Sequence, residues 1–171
     1  RWSSKVVRDE SPKGSDVIGF HFHKTNGETS PKDVLAVFEA KTKFSSSGGN
    51  RLQDAINDSA KDHLRIDESL NFVKQILFER RQIDQAQRIE RFQSPVDIPY
   101  KESYGAAVLI SDEHYNTGIL EESDCGKIPK SAKSEEFIPH PNGKNLILLV
   151  IKGPAMMDLV HELYRRAADE A

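Results

Sequence analysis

Glu39, Ala40 and Lys41 place a carboxylate and an ammonium two residues apart. On a β-strand such residues point to the same side. They follow a run, 33–38 (DVLAVF), that is mostly apolar. Charges beside a buried strand are costly unless they are paired or bind something. A break in local pattern of this kind is where function is expected. The chemistry it suggests is a divalent metal centre, because a cation of the Mg2+ type takes oxygen ligands from more than one carboxylate, with waters and a phosphate. The triplet alone is a weak signal, since E-x-K is common by chance and often marks a solvated strand end.

A second acid is needed, and two lie nearby, Asp16 and Asp33. Asp33 is six residues before Glu39 on the same strand, about 20 Å away at the usual rise, too far to share an ion. Asp16 begins the preceding strand, and in an antiparallel hairpin the start of one strand faces the end of the other. Pairing Asp16 with Glu39 centres the hairpin between Gly27 and Glu28, next to Asn26-Gly27, a strong turn signal. On this reading Asp16, Glu39 and the backbone carbonyl of Ala40 hold Mg2+ (or Mn2+). The ion polarises a phosphodiester and lowers the pKa of a bound water. Lys41 orients or deprotonates that water, or stabilises the developing charge. Gln53 is a further candidate for positioning phosphate or water. Lys43 and Arg51 are the cations best placed to touch a phosphate backbone.

The elements that must position these groups follow from periodicity. Residues 16–23 (DVIGFHFH) and 33–44 (DVLAVFEAKTKF) read as two strands of a hairpin. The second has apolar residues on both faces at its start, which predicts a central strand covered on both sides. Residues 45–49 form a flexible link. Asn50 is placed to cap a helix over 51–65, with Leu52, Ala55, Ile56 and Ala60 as its buried stripe. Asp67 is placed to cap a second helix over 68–92, closed by Ser94-Pro95. Strands are expected at 104–110 and 145–151, and Gly153-Pro154 opens a last helix. The polar stretch 111–144 between those strands is either a functional loop or a small insertion. The order predicts an α/β fold, a mixed central sheet flanked by helices, in a single domain over 1–171.

Composition limits the function classes. The chain has 171 residues, 37% of them hydrophobic and 30% charged, a globular balance. The longest apolar run, 146–151, is far too short to cross a bilayer, so no membrane role is expected. No apolar stretch follows the start, so no signal peptide is expected. One cysteine, Cys125, forms no internal disulfide, which fits a reducing cytoplasm. The net charge of -3 argues against a domain that grips DNA tightly by itself. The chain begins without Met, which suggests a fragment lacking its N-terminal part.

Other groups carry less. His21-Phe22-His23 has the H-x-H form of some metal hydrolases, but both imidazoles fall on the face opposite Asp16. Arg80, Arg81, Arg88 and Arg91 could line a phosphate stripe, yet interleaved Glu79, Asp84 and Glu90 read more simply as ion-pair partners. His114 and His140 sit in polar loops without companion ligands. Met156 and Met157 read as helix core and surface.

A hairpin carrying D…E-x-K, then a helix and another strand, resembles the PD-(D/E)xK nuclease superfamily over residues 14–110. The final strand and helix extend the restriction-endonuclease-like core. The runs DVIGFHF, DVLAVFEAKTKF, RLQDAINDSAKD, YGAAVLISDEHY and LILLVIKG resemble, more narrowly, the HamA family, the nuclease component of the Hachiman anti-phage defence system. The resemblance implies a metal-dependent DNA endonuclease, an effector of bacterial defence held in check by a partner helicase. It puts the family's catalytic acids on Asp16 and Glu39 and its lysine on Lys41. Any acid from a first core helix has only Asp9 and Glu10 as nearby candidates. The alternative is a catalytically inactive nuclease-fold module that binds a partner or nucleic acid.

Overall fold

The computed structural model describes residues 14–169 apart from 26, 47, 48 and 132. Asp9 and Glu10 lie outside the described residues, as do Asn26 of the turn and part of the 45–49 link. In chain order the elements are β1 (Val17–His21), β2 (Val34–Lys43), α1 (Arg51–Ser59), α2 (Ile66–Glu79), α3 (Ile83–Glu90), β3 (Lys101–Ser111), α4 (Gly118–Glu121), β4 (Lys127–Pro129), β5 (Phe137–Pro139), β6 (Ile147–Gly153) and α5 (Met156–Asp169).

The main sheet runs β1-β2-β3-β6. β1 pairs antiparallel to β2, while β2–β3 and β3–β6 are parallel. This is the mixed central sheet with flanking helices that the element order predicts. The hairpin register sets Val17 opposite Phe38 and His21 opposite Val34. Asp16, one residue before β1, therefore falls opposite Glu39, the register that the turn position predicts.

The parallel ladder fixes the faces. Val37 lies opposite Tyr104, Glu39 opposite Ala106 and Lys41 opposite Val108, so these six share one side. On that side α2, α3 and the 3-10 turn after α3 cover Leu35, Val37 and Tyr104, using Ile66, Leu70, Ile89 and Phe92. Further along the same side α1 covers Ala106, Val108 and Ile110 with Leu52, Ala55 and Ile56. The opposite side is only partly covered. Val34, Ala36 and Phe38 are half-buried, and Ile147, Leu149 and Ile151 on β6 are exposed. β2 is central, as expected, but buried fully on one face alone.

Gly105 answers to a close approach. It pairs with Phe38 across β2–β3, and a Cβ there would run into the Phe38 ring. Gly105→Ala is expected to destabilise the protein by about 1–3 kcal/mol through overpacking. Thermal denaturation tests it: an unchanged Tm refutes the steric account, and partial recovery in Gly105→Ala/Phe38→Leu supports it.

Three helix ends differ from expectation, the first being α1, which stops at Ser59 and not at 65, ahead of a 3-10 turn over Asp62–Leu64. Asn50 caps α1 as predicted, accepting from the amides of Leu52 and Gln53. α2 instead starts at Ile66 without a side-chain cap, and Asp67 sits inside its first turn. The helix expected over 68–92 is broken in two. Gln82 N–H donates to Leu77 C=O and Arg81 N–H to Phe78 C=O, a Schellman closure with Arg81 at φ 58°. Glycine usually marks such a position, and its absence hides the break from a sequence reading.

The 111–144 stretch is a small insertion with structure of its own. It holds α4 and the antiparallel β4–β5 hairpin. Gln53 fastens the insertion to α1: its Nε2 donates to Asp124 C=O (3.1 Å) and its Oε1 accepts from Asp124 N–H (2.7 Å).

Candidate functional site

Glu39 lies just past the middle of β2, at the seam between the two core clusters and near the link from α1 to α2. It is only 7% exposed. Lys41, two residues on, extends from the same face and donates to Glu39 Oε1 at 2.6 Å. Its ammonium also meets Asp58 Oδ2, near the end of α1, at 2.8 Å. From across the hairpin Asp16 reaches the same stretch, where its Oδ2 accepts from Ala40 N–H at 2.9 Å.

A third acid comes from the short 3-10 turn Asp62–Leu64. Asp62 is fully buried. Its Oδ1 accepts from the Ser15 hydroxyl at 3.1 Å, and its Oδ2 has no hydrogen-bond partner. An orphaned carboxylate oxygen in a buried position is expensive. Burial raises the Asp62 carboxyl above its ordinary range; the Ser15 hydrogen bond and the Arg65 charge oppose the rise, and the Asp16 and Asp58 carboxylates add to it.

The electrostatics are those of four carboxylates, Asp16, Glu39, Asp58 and Asp62, opposed by Lys41 and Arg65. Burial also raises Glu39, and the Asp16 and Asp62 carboxylates push it further, while the Lys41 hydrogen bond opposes them. For Lys41, burial works to lower the pKa, but the hydrogen bonds to Asp58 and Glu39 outweigh it and hold the ammonium above its ordinary value. Among the described residues no three His, Cys, Asp or Glu side chains converge as a ready-made cage. Two carboxylates, a backbone carbonyl and waters suffice for a Mg2+-type ion. The crowded negative charge and the orphaned oxygen of Asp62 fit such an ion.

The remaining predicted residues take other places. Gln53 is engaged with Asp124 and with Asn57, whose Oδ1 it meets at 2.9 Å. Lys43 contacts Gly49 C=O at 3.4 Å. Arg51 pairs with Asp54 at 2.9 Å and lines a groove with Lys41. Asp33, dismissed as a ligand on distance, is fully buried and ion-paired with Arg91. Arg91 thus leaves the arginine stripe, because its guanidinium is needed inside. Arg88 stacks 4.0 Å over the Phe22 ring. His21 and His23 are exposed near the tip of the hairpin, away from Glu39. Asp58 and Asp62 were missed by the sequence reading. Their signal is spacing: Asp54, Asp58 and Asp62 recur every four residues, which puts Asp54 and Asp58 on one face of α1 and Asp62 in the turn beyond its end.

His140 is buried rather than loop-exposed. Its Nδ1 accepts from Asn142 N–H at 3.0 Å, which puts the ring proton on Nε2. Nε2 faces Ile56 C=O at 3.2 Å and the Ser59 hydroxyl at 3.1 Å. Burial lowers its pKa from the ordinary 6.5, so the unfolded chain takes up a proton before the folded one. The neutral ring's contribution is therefore whole above about pH 6.5 and is lost as the pH falls below it. The stability difference between wild type and His140→Gln is expected to shrink from pH 7.5 to pH 5. A pH-independent difference in denaturation midpoints refutes this. The raised carboxyls of Glu39 and Asp62 act equally in both proteins and cancel.

The mixed four-stranded sheet, with an acid–x–lysine strand at its centre and a facing acid across a hairpin, defines an α/β protein with a restriction-endonuclease-like core. A family model described as HamA matches residues 1–167, and the chain belongs to that family, of the Hachiman type of anti-phage defence. No curated protein and no solved structure matches it. No helix among the described residues is long and apolar enough to cross a membrane.

Proposed function

We propose that the chain is a Mg2+-dependent DNA endonuclease, the effector of a defence system in which a partner helicase controls its access to DNA. The observation that carries this reading is that Asp16 faces Glu39 across the hairpin and binds the Ala40 N–H, Lys41 bonds Glu39, and the carboxylates of Asp16 and Asp62 both act on Glu39. Membership of the HamA family supports the defence role and the partner.

Asp16, Glu39 and the Ala40 carbonyl would hold the ion. When bound, it supplies Lewis-acid polarisation of the phosphodiester and a water of lowered pKa. The protein's part is to hold these oxygens in place and to present Lys41. Lys41, held by Glu39 and Asp58, would act as a charge stabiliser and a hydrogen-bond donor to the attacked phosphate. Asp58 positions Lys41, since it holds the ammonium from the side away from the strand. Ser15 and Asp62 tie the start of β1 to the α1–α2 link, which fixes Asp16.

The test is cleavage of plasmid DNA by the purified chain with Mg2+, with and without EDTA, alone and with the partner helicase. Cleavage that EDTA does not suppress overturns the metal assignment. No cleavage under any of these conditions favours the inactive binding module.

A further inference from the structure

Beside Lys41 a groove of about 650 Å³ runs between α1 and the β4–β5 hairpin, outside the metal-binding set. Its size is that of a ligand site, roughly 300–1,000 Å³. Arg51, Asn57 and Lys61 line one wall; Pro129, Lys130 and Pro139 line the other. Arg51 opens α1 and Lys61 lies two residues past its end, about 15 Å away if the helical rise is carried on. Four permanent cations face this groove, Lys41, Arg51, Lys61 and Lys130, against two carboxylates, Asp54 and Asp58. Glu39 and Glu136 pair with Lys41 and Lys130 from outside the lining, so these charges balance, on a chain whose net charge is -3. The walls are fixed in relation to each other. Asp124 is fastened to Gln53, and His140 sits against Ile56 and Ser59 of α1. Lys130 is braced by Glu136 at 2.8 Å, and Lys61 by Asp58 at 3.7 Å. Both braces are solvent-exposed pairs, which are weak and open to exchange for a phosphate.

We infer that this groove seats the phosphodiester backbone of the DNA strand on one side of the cut, with Lys61 and Lys130 gripping phosphates from opposite walls. The inference rests on the endonuclease reading for the identity of the strand, and it gives the insertion hairpin a purpose: it is the second wall. Proline at 129 and 139 in the hairpin, and at 141 just beyond it, stiffens that wall. Lys41 opens onto the groove, so a strand lying in it runs past the Glu39 site.

The experiment is fluorescence anisotropy of a labelled DNA oligonucleotide with the full chain in EDTA, over a range of salt. Lys61→Ala and Lys130→Ala are compared with wild type and with Arg165→Ala on the remote α5. Each groove variant is expected to weaken binding by about 3–10-fold and to lower the slope of log K against log salt by about one, as loss of one phosphate contact does. Lys130→Glu should weaken it further, and Tm should stay at the wild-type value. Groove variants that bind like Arg165→Ala, or a wild type that binds no DNA, overturn the inference. Failure of the endonuclease reading looks different: no cleavage, with binding still dependent on Lys61 and Lys130. Cleavage and binding that ignore both lysines overturn the groove alone.

Discussion

Alanine at Lys41 is expected to lower Mg2+-dependent DNA cleavage by about 10^2–10^4-fold, the range for loss of one positioned catalytic group. Alanine at Glu39 is expected to lower it at least as far, for a different reason. Glu39 is a proposed ligand, so its loss should move the Mg2+ dependence to higher concentration. Lys41 is a proposed charge stabiliser, so its loss should lower kcat with little change in the Mg2+ needed for half-maximal rate. Neither change should unfold the protein. Lys41 touches Glu39 and Asp58, but the Asp58 side chain is 43% exposed and water can replace the ammonium. Glu39→Ala removes a carboxyl that burial already disfavours as an anion. Equal cleavage by wild type and both variants would remove the pair from the mechanism. A shift in Mg2+ dependence for Lys41→Ala alone would reverse the two roles.

Local rules reach part of this site. The hairpin register follows from one turn and the two-residue period of strands, so the placing of Asp16 opposite Glu39 is legible in the sequence. The Asn50 cap is equally local. The limits appear where distant segments meet. Asp62 becomes a buried acid only because the α1–α2 link is pressed onto β2 and because Ser15 reaches it. Nothing in the spacing of Asp54, Asp58 and Asp62 says which of them turns inward. The break after Glu79 depends on Arg81 adopting a conformation for which its residue type gives no sign. The half-open second face of the sheet was hidden for a related reason. The apolar residues of β2 call for cover on both sides, but α1, α2 and α3 all pack on one. The insertion was legible as an interruption and not as a groove wall, because its contacts with Gln53, Ile56 and Ser59 join residues far apart in the chain.

Arg91 shows how far tertiary context can override a surface pattern, and it yields the largest expected effect on stability. Asp33 is fully buried, accepting from His23 N–H at 2.6 Å and Ser30 N–H at 3.3 Å and ion-paired with Arg91. Arg91 in turn donates to Ser30 C=O at 3.0 Å and lies 5.1 Å from the Phe92 ring. Arg91→Met removes the only cation paired with Asp33 among the described residues. Breaking one side of such a buried pair costs about 3–5 kcal/mol. An exposed pair such as Lys24–Glu28 contributes at most about 1 kcal/mol. In a chain of this size the loss corresponds to a fall in Tm of about 6–20 °C. The double variant Asp33→Asn/Arg91→Met should recover part of it, because no uncompensated charge is left and an amide oxygen can still accept one backbone donor. The pair joins the hairpin tip and the start of β2 to the end of α3, about 20 Å from Glu39 at the usual strand rise. Below its lowered Tm, Arg91→Met should therefore cleave DNA at the wild-type rate per folded molecule. A Tm within about 2 °C of wild type, judged against the same size scaling, would show that water reaches Asp33 and that the pair is not sealed. Lost activity in a fully folded Arg91→Met would show instead that the register of Asp16 against Glu39 is held from the far end of the hairpin.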